Sequence, residues 1–270
     1  MTFDKKLQKV VEKNNSLLCV GLDIDTAKLP SFLLKSFDDP LLEFGTSIID
    51  ATHDLVCAYK LNLAFYEALG EQGTKLLISL LQHIPKHIII ILDGKRNDIG
   101  NTAQQYAKAL YDQLHADAVT LNPYLGSDSI LPFLHYKNTC SFILCRTSNP
   151  SSNEFQNLQA GNKPLYEHVA AYIKKWNTQG CCGAVVGATY PQELKKIRST
   201  LGESIPILIP GIGAQGGDLQ QAVQYGTNKE GKQALLTSSR GVLYAGTDEG
   251  FATQARTVAI NLRDQINTFR

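Results

Sequence analysis

The sequence predicts a single (β/α)8 barrel, the TIM-barrel architecture of the α/β class. Eight short apolar runs recur along the 270 residues, and many of them are rich in β-branched side chains. Runs without polar alternation are typical of strands buried on both faces, as in a parallel sheet covered by helices. Helical stretches recur between the runs and no low-complexity linker divides the chain. One domain covering 1–270 is therefore favoured over an open doubly wound sheet.

The elements follow one another in a regular order. An opening helix is marked by Lys6, Val10 and Val11. Apolar runs predict strands at 17–22, 55–59, 88–93, 118–122, 142–145, 184–187, 206–209 and 234–237. Helical spacing predicts helices at 40–53, 74–84, 101–114, 165–176, 192–201, 218–225 and 250–269. Residues 147–163 form the longest irregular stretch, and a loop of that length is usually functional, commonly a lid.

Composition and charge exclude several classes of protein. The net charge is +1 and no run of like charges occurs, so no nucleic acid or anionic membrane is expected as a partner. The apolar runs are far shorter than the roughly 20 residues of a spanning helix, and the polar start predicts no signal peptide. Six scattered cysteines indicate buried thiols in a reducing cytoplasm. The dispersed histidines predict no zinc site.

Charged side chains follow the third apolar run at close spacing. Asp93, Lys95 and Asp98 lie within six positions directly after residues 88–92. In regular strand geometry Asp93 and Lys95 point to the same side. Asp98 and Thr102 then fall in the loop and in the first turn of the next helix. An ordinary solvated loop between a strand and a helix would also carry such residues.

Other strand ends carry polar side chains of the same kind. The full set comprises Asp23, Lys60, Asn62, Asp93, Lys95 and Asn122. In a (β/α)8 barrel the active site lies at the carboxyl ends of the strands, so these side chains are expected to converge. Because the set is drawn from several strands, one shared site is favoured over independent solvated loops.

Glycine-rich turns follow the last two predicted strands. Residues 210–218 contain Gly211, Gly213 and Gly216, and residues 238–241 contain Arg240. Glycines let backbone amides approach an anion, the next helix begins there, and arginine offers a two-pronged donor. The glycines match the dinucleotide pattern G-x-G-x-x-G, but that pattern belongs to an early βαβ unit. Their late position indicates a monophosphate site, which is usual in this barrel.

On these segments the chain resembles the orotidine 5′-monophosphate decarboxylases, specifically their longer bacterial and protozoan subgroup. The resemblance spans nearly the whole barrel and rests on four segments: LDGKRNDIGNT at 92–102, RTSNP at 146–150, PGIGAQGG at 210–217 and SSRG at 238–241. Metal-dependent hexulose-phosphate synthases share the D-x-K-x-x-D core, whereas the other three segments favour the decarboxylases. Gly94 and Asn97 depart from the pattern in positions to which no side-chain role is assigned.

The resemblance implies a cofactor-independent, homodimeric carboxy-lyase that converts orotidine 5′-monophosphate to UMP, the last step of de novo pyrimidine nucleotide synthesis. The catalytic residues that it implies are Lys60, Asp93, Lys95 and Asp98. The substrate contacts that it implies are Asp23, Asn62, Thr102, Ser148, Gln215, Gly216, Ser239 and Arg240. Asp98 and Thr102 would reach the site of the neighbouring subunit. Lys95 would stabilise and protonate the carbanion, and no metal would be needed.

Two other functions remain open at this point. A sugar-phosphate lyase or isomerase on the same barrel would use Asp93 and its neighbours to hold Mg²⁺ and would form an enediolate. Sensitivity to a chelator separates that enzyme from the decarboxylase. A nucleotide-binding or sugar-phosphate-binding protein would bind without turnover, which calorimetry detects, but the paired lysines and aspartates argue against it.

Overall fold

Eight parallel strands close into a barrel, which confirms the predicted fold class. The structure, a computed structural model, describes residues 1–212 and 217–270. The strands are β1 Leu18–Gly21, β2 Ala58–Asn62, β3 Ile89–Arg96, β4 Ala118–Leu121, β5 Cys140–Arg146, β6 Cys182–Val186, β7 Ile207–Pro210 and β8 Ala234–Ser238. Each strand pairs with the next along the chain, and β8 returns to β1, where Leu18 and Leu236 are register partners.

Helices surround this barrel. The longer ones are α1 Phe3–Asn14, α2 Pro40–Thr52, α3 Gly70–His83, α4 Gly100–Ala107, α5 Leu165–Trp176, α6 Pro191–Leu201, α7 Leu219–Gly226 and α8 Phe251–Phe269. Short α-helical turns occupy Leu33–Ser36, Leu63–Glu67, Leu131–Leu134 and Arg240–Leu243, and 3₁₀ turns occupy Thr26–Lys28, Gly126–Ser129 and Pro150–Glu154. Gln159–Ala160 and Lys163–Pro164 pair as a small antiparallel hairpin. Within the two described ranges, no helix has both the length and the apolar character needed to cross a bilayer.

Some bounds differ from the sequence-based expectation. The predicted helix 101–114 divides into α4 and a π-helical segment, Lys108–Gln113. Strand β2 begins three residues later than expected because Leu55 is held in a turn, with its N–H donating to the Thr52 carbonyl. Strand β3 continues three residues beyond its predicted end because Arg96 still pairs with Leu121 of β4. Site residues predicted to follow these strands therefore lie within them.

Helix α1 packs at the end of the barrel where the strands begin. Its apolar face includes Phe3, whose ring meets Phe142 edge-on at 5.9 Å between centroids. Lys6 pairs with Asp117 at 2.7 Å, and Asp117 also accepts the Ile90 N–H at 2.9 Å. These contacts tie the beginnings of β3, β4 and β5 to the helix, so the carboxyl ends of the strands form the open end. All six cysteines are buried free thiols, as predicted.

Candidate active site

Four ionised side chains alternate in sign at the carboxyl ends of β1, β2 and β3. Lys60 Nζ lies 3.4 Å from Asp23 Oδ1 and 3.0 Å from Asp93 Oδ2. Lys95 Nζ lies 2.7 Å from Asp93 Oδ1. Lys60 and Asp93 are buried, whereas the Lys95 side chain is 47% exposed. The structure thus brings together four of the six side chains that were expected to converge, and these four are here named the charge cluster.

A bulge in β3 brings Asp93 and Lys95 together. Leu92 pairs with Val119 and Arg96 with Leu121, so three residues of β3 face Thr120 alone. Lys95 has a φ of 46°, a left-handed conformation that is uncommon outside glycine and is often found at functional sites. Regular strand alternation would also place these two side chains on one side, but here they meet through the bulge.

Thr120 of β4 holds both sides of this bulge. Its Oγ1 donates to Asp93 Oδ1 at 2.7 Å and accepts the Lys95 N–H at 2.9 Å. Thr120 is buried, and it also lines the cavity described below. The sequence pattern predicts Thr120 only as part of a strand. A single hydroxyl inside an otherwise apolar run was the signal that could have identified it.

The neighbouring charges stabilise the ionised states of Lys60 and Asp93. Burial alone would raise the pKa of Asp93, but the Lys60 and Lys95 ammonium groups outweigh it and hold that pKa well below its usual range. Burial alone would lower the pKa of Lys60, but the Asp93 and Asp23 carboxylates outweigh it and raise that pKa. Lys60 and Asp93 are therefore both charged at neutral pH.

A cavity of about 730 Å³ opens beside the charge cluster. Its size falls within the range of small-molecule sites, and it suits a ligand as large as a nucleotide. Apolar side chains from the strands form much of its floor, namely Leu144, Val185 and Leu208. Ser148 lines one side, and Ser239 and Arg240 line another. The predicted site residues from β1, β2, β3, β5 and β8 are thus brought to one cavity.

The turn after β8 forms the predicted phosphate side of the cavity. Arg240 begins the short helix Arg240–Leu243 and is exposed at the cavity entrance. A Cβ on Gly21 would lie 1.9 Å from Ser239 Oγ, so only glycine lets β1 approach this turn so closely. Gln215 and Gly216 lie outside the described residues, and their roles stay predictions.

The loop after β5 carries Ser148 against the turn that follows β6. Thr189 Oγ1 donates to the Ser148 carbonyl at 3.3 Å. A Cβ on Gly187 would lie 2.8 Å from the Ser148 backbone, so glycine permits this contact. The Ser148 side chain is consequently held at the cavity by backbone contacts.

Four other residues do not line the cavity of their own chain. Asn62 Oδ1 accepts the Ala64 N–H at 3.2 Å as a helix N-cap, while its own N–H donates to Asp23 Oδ1 at 3.2 Å. Asn122 Oδ1 accepts the Tyr124 N–H at 3.0 Å, so its expected convergence with the cluster is wrong. Asp98 precedes α4 and Thr102 is exposed in its first turn, as predicted. The substrate-binding role of Asn62 stays a prediction.

The described side chains offer limited means of holding a metal. Within residues 1–212 and 217–270, no group of three or more His, Cys, Asp or Glu side chains could hold an ion. In the charge cluster, the Asp93 carboxylate is engaged by Lys60, Lys95 and Thr120. A metal at Asp93 would have to displace one of these partners.

A charged cavity at the carboxyl ends of a (β/α)8 barrel is where enzymes of this fold have their active sites. The fold and the site therefore define a barrel enzyme. The family model described as Orotidine 5′-phosphate decarboxylase / HUMPS family matches residues 16–255, and the chain belongs to that family.

Similar proteins come from bacteria and protozoa. An orotidine 5′-phosphate decarboxylase of Dechloromonas aromatica is 48% identical over 274 residues, with all of both chains covered. The solved Leishmania donovani OMP decarboxylase is 36% identical with a TM-score of 0.87, and the alignment covers 100% of this chain and 99% of that one. The solved Leishmania donovani UMP synthase is 38% identical with a TM-score of 0.89. This chain spans 56% of that longer protein and is covered completely.

Proposed function

We propose that the chain catalyses decarboxylation of orotidine 5′-monophosphate to uridine 5′-monophosphate, the last step of de novo pyrimidine nucleotide synthesis. The observation that carries the proposal is the charge cluster, which borders a nucleotide-sized cavity with Arg240 at its entrance. Membership in the family supports the same reaction. We treat residues 1–270 as one decarboxylase domain that acts in the cytoplasm without nucleic-acid or membrane partners.

Lys95 has the central chemical role in this proposal. When the bond from C6 to the carboxylate breaks, its electron pair stays on C6, in the plane of the ring, where the π system cannot delocalise it. An ammonium group at C6 stabilises that charge and then transfers a proton to it. Lys95 is half exposed and is held 2.7 Å from Asp93 Oδ1, so it can face a ligand in the cavity. Its amine regains a proton from water after UMP forms.

Asp93 has two roles in the proposed mechanism. Its carboxylate fixes both Lys60 and Lys95, and it also faces the departing carboxylate of the substrate. A like charge at that place disfavours the bound ground state, which is relieved as carbon dioxide leaves. Because Asp93 is itself flanked by opposite charges, it remains ionised, and the cluster is already arranged before the substrate binds.

The phosphate supplies the rest of the required stabilisation. A rate enhancement near the upper end for enzymes corresponds to roughly 20 kcal/mol, whereas one positioned donor contributes about 3–4 kcal/mol. Binding energy from the phosphate at Ser239, Arg240 and the turn with Gln215 and Gly216 would close that turn and the loop 147–163. Asp23 and Lys60 would hold the ribose hydroxyls, and Ser148 would contact the pyrimidine. No cofactor takes part.

A homodimer completes the proposed site. Asp98 and Thr102 lie outside the cavity of their own chain, and Ile99 between them is 53% exposed. Exposed apolar and polar residues of this kind fit a face that meets a second copy, to whose site Asp98 and Thr102 would contribute.

Mixed subunits test the shared site. Lys95→Ala and Asp98→Ala homodimers should each be inactive, whereas a mixture allowed to exchange subunits should regain activity at one of its two sites. Refolding each variant alone under the same conditions provides the control. Absence of recovery, with exchange demonstrated by native mass spectrometry, would locate all catalytic residues in one chain.

One assay distinguishes the proposed decarboxylase from a metal-dependent sugar-phosphate lyase or isomerase. The ultraviolet absorbance of orotidine 5′-monophosphate should change as it loses its carboxylate, at the same rate with and without a strong chelator. Turnover of a sugar phosphate that stops on chelation would establish the rival instead. Binding of the nucleotide by calorimetry without any turnover would indicate a binding protein.

A further inference from the structure

Arg146 is a buried cation whose described partners are all neutral. It ends β5 with 1% of its surface exposed. One terminal nitrogen lies 2.7 Å from Asn153 Oδ1, and the other donates to Ser152 Oγ and to Gln156 Oε1. The ring of Tyr190 lies across the guanidinium, with 3.6 Å between Cζ and the ring centroid. Its Nε has no hydrogen-bond partner among the described residues.

Burial of a cation without an anionic partner is unfavourable for folding alone. The local backbone nevertheless directs Arg146 inward. The pairing of β5 with β6 shifts register between Leu144, which pairs with Val185, and Arg146, which pairs with Val186. Such a bulge turns a side chain out of the regular alternation and is common next to active sites. Its position at Arg146 therefore indicates a use beyond packing.

The contacts of Arg146 lead directly to the cavity. Gln156, which Arg146 holds, accepts the Thr147 N–H with Oε1 and donates from Nε2 to Thr147 Oγ1, each at 2.8 Å. Thr147, Ser148, Ser152 and Gln156 all line the cavity, on a different segment from Ser239 and Arg240. Arg146 does not line the cavity. It affects the side of the cavity formed by residues 147–156 through the residues to which it is hydrogen-bonded.

We propose that Arg146 is a positioning residue that shapes the side of the cavity formed by residues 147–156, where the pyrimidine is bound. This inference rests on the proposed function. The planar guanidinium reaches Asn153 and Ser152 from separate nitrogens while it stacks on Tyr190. The compact ammonium of lysine cannot reproduce that arrangement. Loss of the guanidinium therefore loosens the side of the cavity formed by residues 147–156, which would contact the pyrimidine. The side formed by Ser239 and Arg240, which would contact the phosphate, stays intact.

The dissociation constants of two ligands, measured for each variant, distinguish an effect on pyrimidine binding from an effect on phosphate binding. Calorimetry with UMP measures binding to the whole nucleotide site. Calorimetry with ribose 5-phosphate, which lacks the pyrimidine, measures binding to the remainder of the site. Arg146→Lys should weaken UMP binding about tenfold, near the lower end of the effect of one lost hydrogen bond to a charged group, and change ribose 5-phosphate binding by less than about twofold.

A second buried arginine provides the matched control. Arg198 donates to the carbonyls of Gly202, Ile205, Gly226 and Gln233 and does not line the cavity. Arg198→Lys should lower the melting temperature and leave the ratio of the two dissociation constants unchanged. Equal weakening of both ligands by Arg146→Lys, or unchanged UMP binding, would overturn the proposal.

A variant at the surface keeps the test decisive if Arg146→Lys does not fold. Asn153 is exposed and does not line the cavity, so Asn153→Ala can affect UMP only through Arg146 and the loop. It should weaken UMP about threefold and leave ribose 5-phosphate unchanged. An unchanged ratio refutes the inference. Wild-type turnover of orotidine 5′-monophosphate is measured alongside, because its absence would instead refute the proposed function.

Discussion

Replacement of Thr120 by valine tests whether the charge cluster must be held rigidly. Valine keeps the shape of the side chain and removes the hydroxyl that joins Asp93 Oδ1 to the Lys95 N–H. A hydrogen bond to a charged group contributes about 1.5–3 kcal/mol and a neutral one about 0.5–1.5 kcal/mol. Their sum, about 2–4.5 kcal/mol, is the upper limit of the effect.

Only part of this free energy should appear as a higher activation barrier for decarboxylation. Lys60 and Lys95 still hold Asp93 after the hydroxyl is removed, so the carboxylate keeps its charge and most of its position. At about 1.4 kcal/mol per tenfold, we expect kcat to fall roughly 10- to 100-fold. The KM should change little because Thr120 contacts the charge cluster, and its strand β4 lies on the opposite side of the barrel from β8, which Arg240 follows.

Initial rates of decarboxylation followed by ultraviolet absorbance provide the assay. Thr120→Ser, which keeps the hydroxyl, should retain most of the activity. Thr52→Val removes another buried hydroxyl, bonded to Tyr59, and should lower stability without a comparable loss of kcat. If Thr120→Val turned over at the wild-type rate, the bulge geometry would have no catalytic importance and the argument from preorganisation would fail.

Three further predictions follow from the same geometry. Lys95→Ala should abolish turnover while UMP still binds by calorimetry, and retained activity would remove Lys95 from its role. Arg240→Ala should raise KM sharply and lower kcat/KM by about 2–3 kcal/mol, since a charged phosphate contact is lost; an unchanged KM would contradict the phosphate assignment. The pH dependence follows from two opposite shifts. The lowered pKa of Asp93 means that its stabilising contribution is complete above about pH 4 and is lost only as the pH falls through the lowered value. The raised pKa of Lys60 means that its contribution is complete below about pH 10 and is lost as the pH rises through the raised value. Urea denaturation should therefore give a constant stability difference between wild type and the Lys60→Met/Asp93→Asn double variant, which removes both groups, from about pH 5 to 9; a difference that changes within that window would contradict these directions.

The order of strands and the main charged residues could be predicted from sequence because both follow from burial. Unbroken apolar runs have to be strands covered on both faces, and a lysine or aspartate next to such a run has to lie at its end. The sequence identifies Lys60 and Asp93 in this way, although β2 extends past its expected end to include Lys60. Their burial is tolerated because each charge has an opposite neighbour.

The role of an asparagine at a strand end is harder to predict from sequence than that of a charged residue, for a physical reason. Asn62 and Asn122 follow strands just as the charged residues do, but an asparagine side chain also caps helices and turns by bonding to a nearby N–H. Asn62 caps the helix Leu63–Glu67 and Asn122 caps a turn at Tyr124. Sequence position alone could not separate this local role from a role in binding.

The features that sequence did not reveal share one origin, which is strand register. The pairing shifts in β3 at Asp93–Lys95 and in β5 at Arg146, both at carboxyl ends that reach the cavity. A bulge depends on how two distant segments pair, so periodicity within one segment contains no information about it. Each bulge then requires a partner on the adjacent strand or loop: Thr120 for β3, and Tyr190 with the loop residues for β5. Those partners are uncharged, so the spacing of charged residues does not identify them, yet they help to fix the direction of the charged side chains. In the proposed mechanism the ionised side chains provide the chemistry, while neutral hydroxyl, amide and aromatic groups help to determine where those side chains point.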